Sequence, residues 1–201
     1  HFLCDYFASV SHYSAKILSE RVIFPVNTEV IYNGIRVEDY CVPASTRNVK
    51  PPLKAVVFSR LSREKNIALL LEAWGKFSDL RSSYRLTIHG DGDQRDALDD
   101  YIDQFGLQDS VEIRPSIAIT KEYMAFYDVV IVPSLYESFS LVALEALLNK
   151  RVVACTVNSG VYHDFPDTVF PFDPNCVQSL VSCMRNIYEC IAHSAGNSED
   201  L

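Results

Sequence analysis

The sequence predicts a doubly wound α/β fold, a parallel sheet with helices on both faces. Three observations carry this expectation. Short β-branched or apolar runs recur from about residue 53, each the length of a buried strand. Longer stretches of helical period separate them, and the two textures alternate strictly. A strand that is apolar along most of its length is buried on both faces, as parallel strands between helical layers are. Strand and helix in strict turn give the doubly wound class.

The strand candidates are Leu53–Phe58 (LKAVVF), Tyr84–His89 (YRLTIH), Val111–Arg114, residues 128–132 (DVVIV) and residues 151–155 (RVVAC). Helical stretches lie between them at 67–77, 94–105, 121–126 and Leu141–Leu148. A final helix over 177–192 precedes a polar tail, 194–201, whose composition predicts disorder. The first fifty residues differ in texture. Residues 6–10 read as a strand, 11–19 as a helix, and 29–32 as a strand ending at Asn33-Gly34. Residues 43–52 hold three prolines with Ser, Thr and Asn, the pattern of a linker or exposed loop. On this reading residues 27–193 form the main domain and 1–26 are the tail of a preceding unit. No internal repeat is visible.

A length of 201 residues suits one domain of ordinary size. No apolar run approaches the ~18 residues needed to span a bilayer. Residues 1–5 show neither a basic n-region nor a small-residue cleavage site, and the chain reads as though cut from something longer. A net charge of -8 argues against nucleic acid as a partner. It leaves room for a small anionic ligand, because a few well-placed cations can hold one phosphate group. The six cysteines form no C-x-x-C pair, but Cys176, Cys183 and Cys190 recur every seven residues, one stripe of a helix. A zinc site would need tighter clustering with histidine partners. A buried stripe of reduced thiols is expected instead, and it points to a reducing compartment.

In doubly wound sheets ligands bind beyond the carboxyl ends of the strands. Three loops at such positions are rich in chemistry. After the first main strand, Arg60 and Lys65 stand where a helix begins, an arrangement suited to a pyrophosphate, though a loop of this kind taken alone is more often a solvated charged turn. After the second, Gly90 and Gly92 would let the backbone approach a ligand closely. The same stretch contains Asp91-x-Asp93, a spacing that can hold a divalent metal ion. After the fourth, Glu137 lies on the loop and Glu145 about two turns into the next helix. Both can accept sugar hydroxyls, and the amides of Phe139, Ser140 and Leu141 between them can meet phosphate oxygens. The neighbours of Glu145 are apolar, so its carboxylate wants a partner.

Together these loops resemble the family 4 glycosyltransferases of the GT-B type. The stretch VIYNGIRVEDY (30–40) is similar to the family's I-x-N-G-V-D segment at the entry to its C-terminal domain. FSRLSREKNIALLLEAW (58–74) resembles G-R-L-x-x-E-K-G, with Arg60, Glu64 and Lys65 in register. LTIHGDGD resembles a strand ending in G-x-G. VPSLYESFSLVALEAL resembles P-S-x-x-E-x-x-G-x-x-x-x-E-A, which contains the glutamate pair. CDYFASVSHYSAKIL looks like the family's last N-domain strand and helix, with Ser11 in place. Departures are Ser59 and Ser140 where glycine is usual, Asn149-Lys150-Arg151 for G-x-P, and Val157-Asn158-Ser159-Gly160 for a double-glycine loop.

The resemblance implies a Rossmann-like C-terminal half that binds a nucleoside-diphosphate sugar. Arg60 and Lys65 would neutralise the diphosphate, with the loop amides of Ser138 to Leu141 and the Gly90/Gly92 turn beside them. Glu145 would hold the ribose, and Glu137 would act at the transferred sugar. Transfer would retain anomeric configuration, with a UDP-, GDP- or ADP-sugar as donor and neither cofactor nor metal required. A saccharide or lipid-linked acceptor would sit on a separate N-terminal domain. The implied location is cytoplasmic, including the inner face of a membrane. A non-catalytic nucleotide-sugar-binding module and a GT-B-type epimerase are the alternatives. A dinucleotide oxidoreductase fails, since no G-x-G-x-x-G follows the first main strand.

Overall fold

A computed structural model describes residues 6–22, 27–42 and 49–196. The expectations for residues 1–5, for 43–48 of the proline-rich segment and for 197–201 of the polar tail therefore lie outside the described residues. At the start, β1 (Tyr6–Ser9) precedes α1 (His12–Arg21) and pairs in parallel with β2 (Asn27–Val30), forming a sheet of their own. Ser11 caps α1, its hydroxyl accepting from the Ser14 amide. A short α2 (Val37–Tyr40) follows.

The main sheet begins with β3 (Leu53–Phe58), a 3-10 turn (Arg63–Lys65), α3 (Ile67–Lys76) and α4 (Ser78–Ser83). Next come β4 (Tyr84–His89), α5 (Arg95–Gln104), β5 (Val111–Arg114), α6 (Lys121–Met124), β6 (Val129–Val132) and α7 (Leu141–Leu148). The chain then runs through β7 (Val152–Thr156), α8 (Gly160–Asp164), β8 (Phe170–Phe172) and α9 (Val177–Gly196). All six strands are parallel, in the order β5-β4-β3-β6-β7-β8. Counted from β3 this is 3-2-1-4-5-6, the Rossmann order.

Strand alternation divides the core. Ala55, Val57, Leu86, Ile88 and Ile131 turn to one face, where they meet Leu70, Trp74, Leu80, Leu98 and Met184 of α3, α4, α5 and α9. Val56, Phe58, Val130, Val132 and Cys155 turn to the other, against Met124, Ala143, Ala146 and Val161 of α6, α7 and α8.

Some boundaries differ from the sequence reading. β6 starts one residue later than expected because Asp128 spends its carboxylate on the Lys54 amide (2.8 Å). β7 is also displaced by one: Arg151 is buried ahead of it, bonding the Asn149 and Tyr127 carbonyls. α9 continues to Gly196, into the stretch read as polar tail. The thiol stripe is corrected too. Cys183 is buried, Cys176 is half-buried and Cys190 is exposed. Cys176 precedes the first residue of α9, so the three thiols do not form one stripe of that helix.

Candidate functional site

β3 and β6 are neighbours in the sheet, and their connections leave in opposite directions along it. At this switch point, beyond the strands' carboxyl ends, lies a cavity of about 330 Å³, within the range of small-ligand sites. Its floor is Val57, Phe58 and Ser59 from β3 and Ile131 to Ser134 from β6. Lys65 and the segment from Glu137 to Val142 line the wall, with Val10 and Asn33 from the first segment of the chain.

Lys65 closes the 3-10 turn after β3. Asn66 behind it sits in the left-handed region (φ 56°), which asparagine tolerates better than most residues. Its side-chain amide donates to the carbonyls of Pro133 (3.2 Å) and Pro174 (2.9 Å), tying this turn to the loop after β6. The Lys65 ammonium therefore reaches the Glu137 carboxylate at 2.8 Å. The Ser134 hydroxyl donates to the same oxygen at 3.1 Å. Both charged side chains are mostly buried, 27% and 20% exposed, so the pair is less screened than a surface ion pair.

The glutamate loop is held from three sides. Its Leu135 amide bonds the Glu64 carbonyl, the Glu137 amide bonds the Asn158 carbonyl, and the Gly160 amide bonds the Glu137 carbonyl. Ser140 then takes φ 81°, a glycine-favouring conformation, and caps α7 through the Ala143 amide. The N–H groups of Phe139 and Leu141 meet no acceptor among the described residues, leaving a cluster of donors at the helix start.

Six of the expected site residues thus surround one cavity: Lys65, Glu137, Ser138, Phe139, Ser140 and Leu141. Four do not line it. Arg60 is exposed on the β3 loop. Gly90 and Gly92 are packed against that loop: a side chain on either would overlap the carbonyl oxygen of Ser59 or Leu61 respectively. The close approach these glycines permit is between two loops of the protein. Glu145 lies half-buried on α7, and burial pushes its carboxyl above the ordinary range while the nearby Tyr40 hydroxyl works against the rise. Asp91, weighed as a metal ligand, instead accepts the Ser116 amide at 2.9 Å. Among the described residues no group of three or more His, Cys, Asp and Glu is placed to hold a metal ion.

Ser134 and Asn33 are the polar lining residues that the sequence reading did not put forward as site residues. Both stood inside recognised segments, P-S-x-x-E and Y-N-G, and a small polar residue one helical turn before a glutamate was the available signal for Ser134.

The sequence pattern of the family described as Glycosyl transferases group 1 matches residues 43–193. The chain belongs to this family. The group 1 glycosyltransferase chain is 34% identical to an uncharacterized glycosyltransferase of Methanocaldococcus jannaschii, over 73% of its own length and 42% of that protein's. It is 29% identical to the phosphatidylinositol N-acetylglucosaminyltransferase gpi3 subunit of Schizosaccharomyces pombe, over 75% of its length and 33% of the relative's. It spans less than half the length of these relatives. Its fold is shared with sucrose-phosphate synthase of Thermosynechococcus elongatus (TM-score 0.78, 22% identity, 94% of this chain and 50% of that one). It is also shared with Anabaena HepE, solved in complex with UDP (TM-score 0.75, 22% identity, 96% and 56%). Among the described residues no helix is long and apolar enough to cross a membrane.

Proposed function

We propose that this chain is the donor-binding half of a retaining, family 4 glycosyltransferase, carrying a nucleoside-diphosphate sugar in the β3/β6 cavity. The observation that supports this most is the meeting of Lys65, Glu137 and the free N–H groups at the start of α7 around one pocket. A diphosphate entering there exchanges the Lys65–Glu137 pair for two better-matched contacts. The ammonium turns to the phosphate oxygens, joined from the rim by Arg60, while the amides of Phe139 and Leu141 donate from the helix start. Glu137, released from Lys65, accepts hydroxyls of the transferred sugar. As the anomeric bond breaks, negative charge grows on the departing diphosphate, and these fixed donors stabilise it without a metal ion. Glu145 takes the ribose hydroxyls in the same scheme, with Tyr40 orienting it.

The acceptor, a saccharide or lipid-linked chain, belongs on a preceding domain whose tail is residues 1–26, and the place of action is the cytoplasm or the inner membrane face. The glycosyltransferase relatives and the UDP complex of HepE support the nucleotide-sugar reading.

Calorimetric titration of UDP, GDP and ADP tests it. One of the three should bind, insensitively to chelator. Lys65→Ala should weaken it by roughly 1.5–3 kcal/mol, the scale of a charge-assisted contact, and Arg60→Ala by the lower end of that range because Arg60 is exposed. Absence of binding at millimolar nucleotide would overturn the proposal, and loss of binding in EDTA would overturn its metal-free form. In the complete enzyme, Glu137→Ala should cut kcat far more than nucleotide affinity, whereas Glu145→Ala should act mainly on affinity.

A further inference from the structure

Ser11 lies outside the cavity lining and 127 positions from Ser138 in the sequence, yet its hydroxyl donates to the Ser138 carbonyl at 2.5 Å. It is completely buried. As a helix cap it needs only to accept, which it does from the Ser14 amide at 3.0 Å. A serine hydroxyl has one proton to give, and here Ser138 receives it. The third partner is Gly160, whose amide holds the Glu137 carbonyl. A side chain at Gly160 would overlap the Ser138 carbonyl oxygen and press on Ser11 at 2.7 Å, so the absence of one is what lets these three backbones meet. Around this point α1 is fixed to the main domain. Tyr13 stacks on His163 at 4.3 Å, and His12 pairs with Asp164.

The Ser138 carbonyl shares a planar trans peptide with the Phe139 N–H, and the two point in opposite directions. Fixing one fixes the other. The Phe139 N–H has no acceptor among the described residues, and Phe139 lines the cavity. Resting on the nucleotide-sugar reading, we infer that Ser11 is a positioning residue: from the segment preceding the main domain, it orients the Ser138–Phe139 peptide so that its N–H meets the outer phosphate of a nucleoside diphosphate.

The test compares diphosphate with monophosphate. On the full chain, affinities are measured for UDP, GDP and ADP and for the matching monophosphates, in the wild type and in Ser11→Ala, Ser11→Gly and Ser11→Thr. Glycine is a tolerated helix cap, so Ser11→Gly removes the hydroxyl with little loss of α1. Ala and Gly should weaken the diphosphate about tenfold, the worth of one net hydrogen bond. The monophosphate should be unchanged, and Thr, which keeps the hydroxyl, should restore affinity. Unchanged diphosphate binding in Ala and Gly would overturn the inference. So would an equal loss for both nucleotides, which would mark Ser11 as a purely structural contact. A wild type that binds none of the three diphosphates would overturn the proposed function together with this inference.

Discussion

Glu145 carries a cost that its surroundings only partly offset. Burial raises its carboxyl above the ordinary range, and the nearby Tyr40 hydroxyl lowers it by less. A carboxyl whose folded pKa is raised contributes its stability when protonated, below the unfolded value, and loses it as pH rises through the folded one. Glu145→Gln keeps an acceptor for Tyr40 and removes the charge. It should therefore raise Tm at neutral pH, and the difference should vanish below the ordinary carboxylate range. A gap independent of pH in thermal melts would refute the burial account. At this scale much of the site was legible. Lys65 and Glu137 stood out as charged residues on loops at the carboxyl ends of two apolar strands, though not as partners of each other. Gly90 and Gly92 did not disclose their partner, because a glycine shows that something approaches closely but not what. In the structure that something is the Ser59–Leu61 backbone.

The elements divide along the same physical line. β3 and β4 lie where the apolar runs put them, since five of the six positions in each are buried; β5 keeps its expected bounds although only Val111 of its four residues is buried. α4 was missed because Ser78–Ser83 is mostly polar, and it is placed by tertiary contacts, Leu80 in the core and Asp79 paired with Arg185 at 2.7 Å. β8 was missed because it is short and contains Pro171. The end of α7 yields a further expectation. The Arg151 amide bonds the Ala146 carbonyl and the Lys150 amide bonds the Leu147 carbonyl, a Schellman closure with Lys150 at φ 55°. Glycine is the usual occupant of that position. Lys150→Gly should stabilise the chain by about 1 kcal/mol, read as an upward shift of the denaturant midpoint at constant slope.

For the whole molecule, strand order was the part that periodicity could not supply. β3 and β6 are adjacent in the sheet but separated in the chain by two strands and their helices, and it is their adjacency that opens the cavity. An open sheet of this kind also ends in two edge strands, β5 and β8, each paired with a strand on one side only. β5 has Glu112 and Arg114 paired with each other beside its edge. On β8 the Phe172 carbonyl turns inward to the Val157 amide, so the alternation of the strand turns position 171 outward. Proline there has no N–H to offer a visiting strand. Pro171 thus removes a donor from the edge of β8, the kind of feature that hinders edge-to-edge pairing between copies. Pro171→Val should leave the folded chain nearly as stable, yet lower the yield of soluble protein on refolding at high concentration, measured by light scattering, with the deficit growing as concentration rises.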